Sequence, residues 1–276
     1  MSTWLLPIVF GIFIWWFSTG LVLLLDNLPR TTFKLSVPIA SVLALAALAG
    51  LSHTAGQTSE TAAYCAFTCA LLVWAWHELT FLTGWLTGPR KVAAVPGAKG
   101  WQRFSQAVAA ILWHELAILA SAVAILAITW GEPNQVGTGT FLVLWIMRTS
   151  AKLNLYLGVR NLSEEFLPPH LVYMGSYFRR RPMNALLPFS MLGGTVVLVW
   201  LVTVSQGGTA GEQVGALLVA TMLAMAVLEH GLLVLPLPST ALWRWAMRRP
   251  AEPPCPAAPT PEKPEQALND KLFHAR

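Results

Sequence analysis

The chain has 276 residues, 55% hydrophobic and only 11% charged, with a formal net charge of +5 and a sequence pI near 9.4. A soluble domain carries about 25% charged residues, so this composition excludes a domain that covers its whole surface with polar groups and points to lipid as solvent. In so apolar a chain, basic residues are expected to orient membrane spans and not to bind nucleic acid.

About 20 apolar residues cross a bilayer as a helix. Seven stretches approach that length: 4–25, 36–52, 62–83, 105–130, 138–162, 185–204 and 214–236. Nothing basic precedes the first, and it is long, which predicts a span and not a signal peptide. The second is the shortest, and a six-span chain without it is the main rival. Cys65 and Cys69 share a face of the third stretch and are read as small packing residues.

The connections alternate in charge. Segments 26–35, 84–104, 163–184 and 237–276 hold fifteen of the eighteen Lys and Arg; 53–61, 131–137 and 205–213 hold none. The other three, Arg148, Lys152 and Arg160, lie in the fifth stretch. This positive-inside pattern predicts an all-helical multi-pass membrane protein with its N-terminus outside and its C-terminus in the cytoplasm. Residues 1–247 are read as one helical membrane domain. Residues 248–276, rich in proline and holding Cys255, are read as a disordered cytoplasmic tail.

Ionisable residues inside spans are costly and are therefore functional candidates. The third stretch carries His77 and Glu78, the fourth His114 and Glu115, the fifth Arg148, Lys152 and Asn154, and the seventh Glu229 and His230. At about 1.5 Å per residue, the charged groups of all four helices fall in the cytoplasmic half of the membrane, which predicts one shared polar cluster. Three readings of that cluster stand open. Arg148 and Lys152, four apart, could neutralise two of the three glutamates and lock helices together. The set His77, Glu78, His114, Glu115, Glu229 and His230 resembles the inventory of a helical di-iron site. However, each His–Glu pair is adjacent, so its two side chains diverge by about 100° around the helix. Imidazoles flanked by tryptophan could instead ligate a tetrapyrrole. Beyond the fifth stretch, Arg160, Glu164, Glu165, Arg179, Arg180 and Arg181 form a candidate cytoplasmic interface. The fifth helix is expected to continue to Pro168, so that Arg160 and Glu164 pair at i,i+4, and His170 is expected to be solvated.

Several longer motifs carry a resemblance. They are Trp15-Trp16-Phe17-Ser18-Thr19-Gly20, Ala66-Phe67-Thr68-Cys69-Ala70-Leu71-Leu72-Val73-Trp74, His114-Glu115-Leu116-Ala117-Ile118-Leu119, the run from Arg148 to Pro168, Arg179-Arg180-Arg181-Pro182-Met183-Asn184 and Leu228-Glu229-His230. Together they resemble the photosynthetic complex assembly protein 2 family, the PuhE type of purple phototrophic bacteria, over roughly residues 10–247. The resemblance implies a protein of the bacterial inner membrane of a phototroph, with a periplasmic N-terminus, associated with building the reaction-centre and light-harvesting complex or with modulating pigment supply. The resemblance supplies no catalytic residues. The first functional reading is a non-enzymatic assembly factor, with reaction-centre or antenna subunits and lipid as partners and bacteriochlorophyll as a candidate ligand. The alternatives are a metal-dependent, di-iron-like enzyme acting on a tetrapyrrole or isoprenoid, and, last, a transporter, for which no inverted repeat is visible.

Overall fold

A computed structural model describes residues 2–235 and 239–247. The expected tail, 248–276 with Cys255, lies outside them. Seven long helices follow one another: α1 (Ser2–Asp26), α2 (Phe33–Thr54), α3 (Glu60–Leu82), α4 (Gly100–Thr129), α5 (Val136–Leu157), α6 (Leu186–Val204) and α7 (Ala210–Leu232). Among the described residues there is no strand, only one isolated bridge between Val159 and Arg180.

Six of these helices, all but α5, are long and apolar enough to cross a membrane. Against the sequence reading, α2 is not short: it gains a turn at its start from Phe33 and runs to Thr54. The helix whose apolarity falls short is α5, because Arg148 and Lys152 sit within it. α4 has 30 residues and is therefore about 45 Å long, more than a hydrocarbon core of about 30 Å, so its first turns project beyond it.

Burial divides the bundle into an inner and an outer set. In α3 and α7, 61% of the most apolar stretch is buried, against 22% in α1, α2 and α4 and 11% in α6. α3, α5 and α7 pack against one another, with α2 on α3, α6 on α7 and α1 across α3 and α7. Small residues permit this. Ala62, Ala63, Ala66 and Ala70 on α3 and Gly211, Gly215 and Ala220 on α7 are all buried, and such residues let membrane helices approach closely where lipid removes the hydrophobic drive to associate. Phe67, Phe141 and Leu218 fill the space between them. The outer helices expose apolar rows, such as Leu35, Ile39 and Val42 on α2 and Leu192, Val196 and Val199 on α6. Rows of this kind would drive aggregation in water and suit lipid.

Two helix starts at the Lys/Arg-free end are capped by side chains. Ser59 accepts from the Ala62 amide at the start of α3. Thr209 and Glu212 form a reciprocal box at the start of α7. Such caps satisfy amides that would otherwise be orphaned where helices leave lipid.

α5 ends at Leu157, short of the end of its apolar stretch at residue 162 and well short of Pro168, the expected stop. Gly158 has φ +123°, which side chains on L-residues resist, and the chain then turns into the bridge between Val159 and Arg180. Arg160 is therefore not on a helix with Glu164, and the expected i,i+4 pair is replaced by a loose contact of 4.0 Å between Glu164 and Arg180, both highly exposed. A nine-residue 3-10 segment, Pro169–Tyr177, follows. After α7 the chain folds back onto α1: the Trp243 indole donates to the Trp16 carbonyl at 3.1 Å, and the Trp16 indole donates to the Leu242 carbonyl at 3.0 Å.

The starts of α3 and α7 meet at Gly211, where an added Cβ would collide with the backbone carbonyl of Thr58. Backbone cannot rotate away as a side chain can, so Gly211→Val should separate the two inner helices at a cost of about 1–3 kcal/mol. A thermal unfolding curve in detergent should shift down by several degrees; an unchanged midpoint would contradict this packing.

Candidate functional site

The charged side chains of the inner helices meet around α5. The Arg148 guanidinium lies 3.2 Å from the Glu78 carboxylate of α3, and Lys152 Nζ lies 2.6 Å from Glu115 Oε1 of α4. The fourfold spacing places both cations on one face of α5, and two different helices supply the anions. Glu229 of α7 completes the group: its neighbours include Arg148, Glu78 and the Trp15 indole of α1. The side chain of Arg148 keeps 46% of its surface accessible, and Glu229 is exposed as well, so this side of the group is open. Lys152 and Glu115, at 23% and 26% accessible, are more covered.

The imidazoles point elsewhere, as adjacent positions on a helix must. His77 is wholly buried; its Nε2 sits 2.9 Å from Ser121 Oγ, and its ring packs against Trp76, Phe141 and, at 6.2 Å, His114. His114 is buried under the Phe81 ring, 4.5 Å away. The Nδ1 atoms of both rings, and Glu78 Oε1, are buried without a hydrogen-bond partner. His230 is separate from both. Its Nδ1 donates to the Ala226 carbonyl at 2.8 Å, and its Nε2 faces Ser150 Oγ at 2.9 Å. Among the described residues, no group of three or more His, Cys, Asp or Glu is placed to hold a metal ion. The six residues of the di-iron-like alternative are thus not brought together.

A second polar network joins α5 to α6 and α7. Ser150 donates to Ser190 at 2.8 Å, and the buried Asn154 amide donates to the Ser150 carbonyl at 2.9 Å. Asn184 then donates to Asn154 Oδ1 and to the Gly158 carbonyl, both at 3.0 Å. Asn154 therefore belongs with His230 and not with the ionic group. Ser150, Ser190 and Asn184 escaped the sequence reading because neutral side chains carry no charge signal. The i,i+4 spacing of Ser150 and Asn154 was the available clue.

Of the expected interface residues, Arg160, Glu164, Glu165, Arg180 and Arg181 are exposed, and Arg179 is half-buried. The backbone of this segment is pinned: the Arg179 amide donates to the Leu155 carbonyl and the Arg181 amide to the Val159 carbonyl. Arg103, counted in the sequence only as a loop charge, is buried. It donates to the carbonyls of Tyr156 and Tyr177 and stacks 4.0 Å over the Tyr156 ring, so it clamps the end of α5 to the 3-10 segment.

Residues 1–254 match the family described as "Protein of unknown function (DUF3623)". The chain belongs to that family. A relative from Rhodobacter capsulatus, described as "Uncharacterized 30.4 kDa protein in puhA 5'region", is 35% identical over 251 residues, 89% of this chain and 91% of its own length. No solved structure matches.

Removing Lys152 leaves Glu115, only 26% accessible, without its partner. Lys152→Met should cost about 1–3 kcal/mol, and Lys152→Met with Glu115→Gln should recover at least half of that loss. Unfolding of the single and double variants in matched detergent checks this; purely additive losses would show that the two groups do not interact.

Proposed function

We propose that this chain is a non-enzymatic assembly factor of the bacterial inner membrane, of the PuhE type, that serves the photosynthetic reaction-centre and light-harvesting complex. The observation that carries this reading is the relative named for the 5' region of puhA, a photosynthesis gene, which aligns along nine-tenths of both chains. Seven spans with a periplasmic N-terminus complete the proposal. α5, 22 residues long and hence about 33 Å, is enclosed by α3, α4, α6 and α7, and its cations are paired. The exclusive placement of loop Lys and Arg at one end supports a cytoplasmic assignment for that end.

The geometry favours a particular mode of action. Both α5 cations are paired with carboxylates of other helices, which suits a lock between helices better than a catalytic centre. His77 and His114 are enclosed, and His230 has both ring nitrogens engaged. Bacteriochlorophyll ligated by any of them would require helices to part. Clients are therefore met along the apolar outer helices, and pigment, if carried, travels with the client.

A tagged copy extracted from phototrophic membranes in mild detergent should co-purify with reaction-centre or antenna subunits, well above an unrelated multi-pass control, whether or not pigment synthesis is blocked. Recovery of neither subunit under both conditions would sink the proposal.

A further inference from the structure

At the Lys/Arg-rich end, three separate segments enclose a cavity of about 430 Å³. The start of α2 and its preceding turn contribute Arg30 and Lys34, the α3–α4 connection contributes Lys91, and the 3-10 segment contributes His170. No Asp or Glu lines the cavity. Three cations that converge on a concave, partly apolar space without a counter-charge create a strong local field for anions. The Thr87 and Tyr173 side chains form part of the lining, with the Thr87 Oγ1 and Tyr173 hydroxyl oxygens buried beneath it next to one another.

His170 shapes the site and does not charge it. Contrary to the sequence reading it is half-buried, with Nε2 donating to the Leu82 carbonyl at 2.7 Å. Burial pushes its pKa below the ordinary imidazole value; that hydrogen bond opposes the shift, and Arg30 and Lys91 add to it. The ring is accordingly neutral at pH 7, and an added Cβ at Gly84 would press on it at 3.0 Å. Lys91 Nζ is held towards the cavity by the Gly84 carbonyl at 3.4 Å. The remaining wall is apolar. Phe33 and Leu171 are buried, and Trp85 is 58% exposed at the rim, where α2 and α3 leave the apolar zone. A freely soluble ion has no use for that wall, whereas a glycerol backbone with acyl chains does.

We propose that this cavity is a phosphate-binding pocket that takes the headgroup of an anionic phospholipid. It is distinct from the ionic group around α5 and from the Arg179–Arg181 run. The full chain, purified in detergent, should retain phosphatidylglycerol over phosphatidylcholine in native mass spectrometry. Arg30→Gln with Lys91→Gln should lower that retention about tenfold, while Arg179→Gln with Arg180→Gln, which removes the same charge outside the pocket, should leave it near wild type. Lys34→Gln alone, a single change at an exposed position on the lining, should weaken it severalfold and guards against a misfolded double variant. Equal retention of the two lipids, or equal losses from the two double variants, would overturn the pocket. Displacement of phosphatidylglycerol by millimolar inorganic phosphate would overturn the lipid assignment in favour of the free anion.

Discussion

Two cations on one face of α5 constrain the whole arrangement. Hydrocarbon does not solvate an isolated charge, so Arg148 and Lys152 must find carboxylates, and they find them on different helices, Glu78 of α3 and Glu115 of α4. This draws α5 inward. The helix least apolar in composition thus packs against α3, α4 and α7, and the small residues of α3 and α7, the two most buried helices, make room for it. Hydrogen bonds through Ser150 and Asn154 then fasten its other face to α6 and α7. One helix thus carries two polar faces, an ionic one towards α3 and α4 and a neutral one towards α6 and α7.

The arrangement separates interior from exterior chemistry. Inside, two ion pairs tie α5 to α3 and α4, and the imidazoles are enclosed. Outside, the described helices present long apolar rows, and the basic end presents loops pinned by Arg103 and by the Val159–Arg180 bridge.

Much of this was legible in the chain, for identifiable reasons. Helix positions follow from runs of apolar residues, and the ion pairs follow from the cost of leaving Arg148 and Lys152 alone. The adjacency of His and Glu in three pairs already implied that imidazoles and carboxylates would part company. What was illegible depends on backbone conformation or on neutral groups. The end of α5 rests on one glycine, Gly158, whose positive φ no hydropathy pattern reveals. The expected pairing of Arg160 with Glu164 failed with it. α2 was read short because Phe33 and Lys34 look like loop, although they form its first turn. The fold-back of Trp243 onto α1 joins residues more than two hundred positions apart, which local periodicity cannot anticipate. His170, taken for a surface residue after two prolines, is held by a carbonyl of α3.

The central claim is that the α5 cations are neutralised inside the bundle when lipid surrounds it. Solid-state NMR on the labelled chain in bilayers tests this most directly, through the dipolar coupling between the Lys152 side-chain nitrogen and the Glu115 carboxyl carbon. A strong cross-peak, consistent with the 2.6 Å contact and lost in Glu115→Gln, is the predicted result. A lysine nitrogen that couples to no carboxylate, with Glu115 instead in contact with acyl-chain protons, would contradict it.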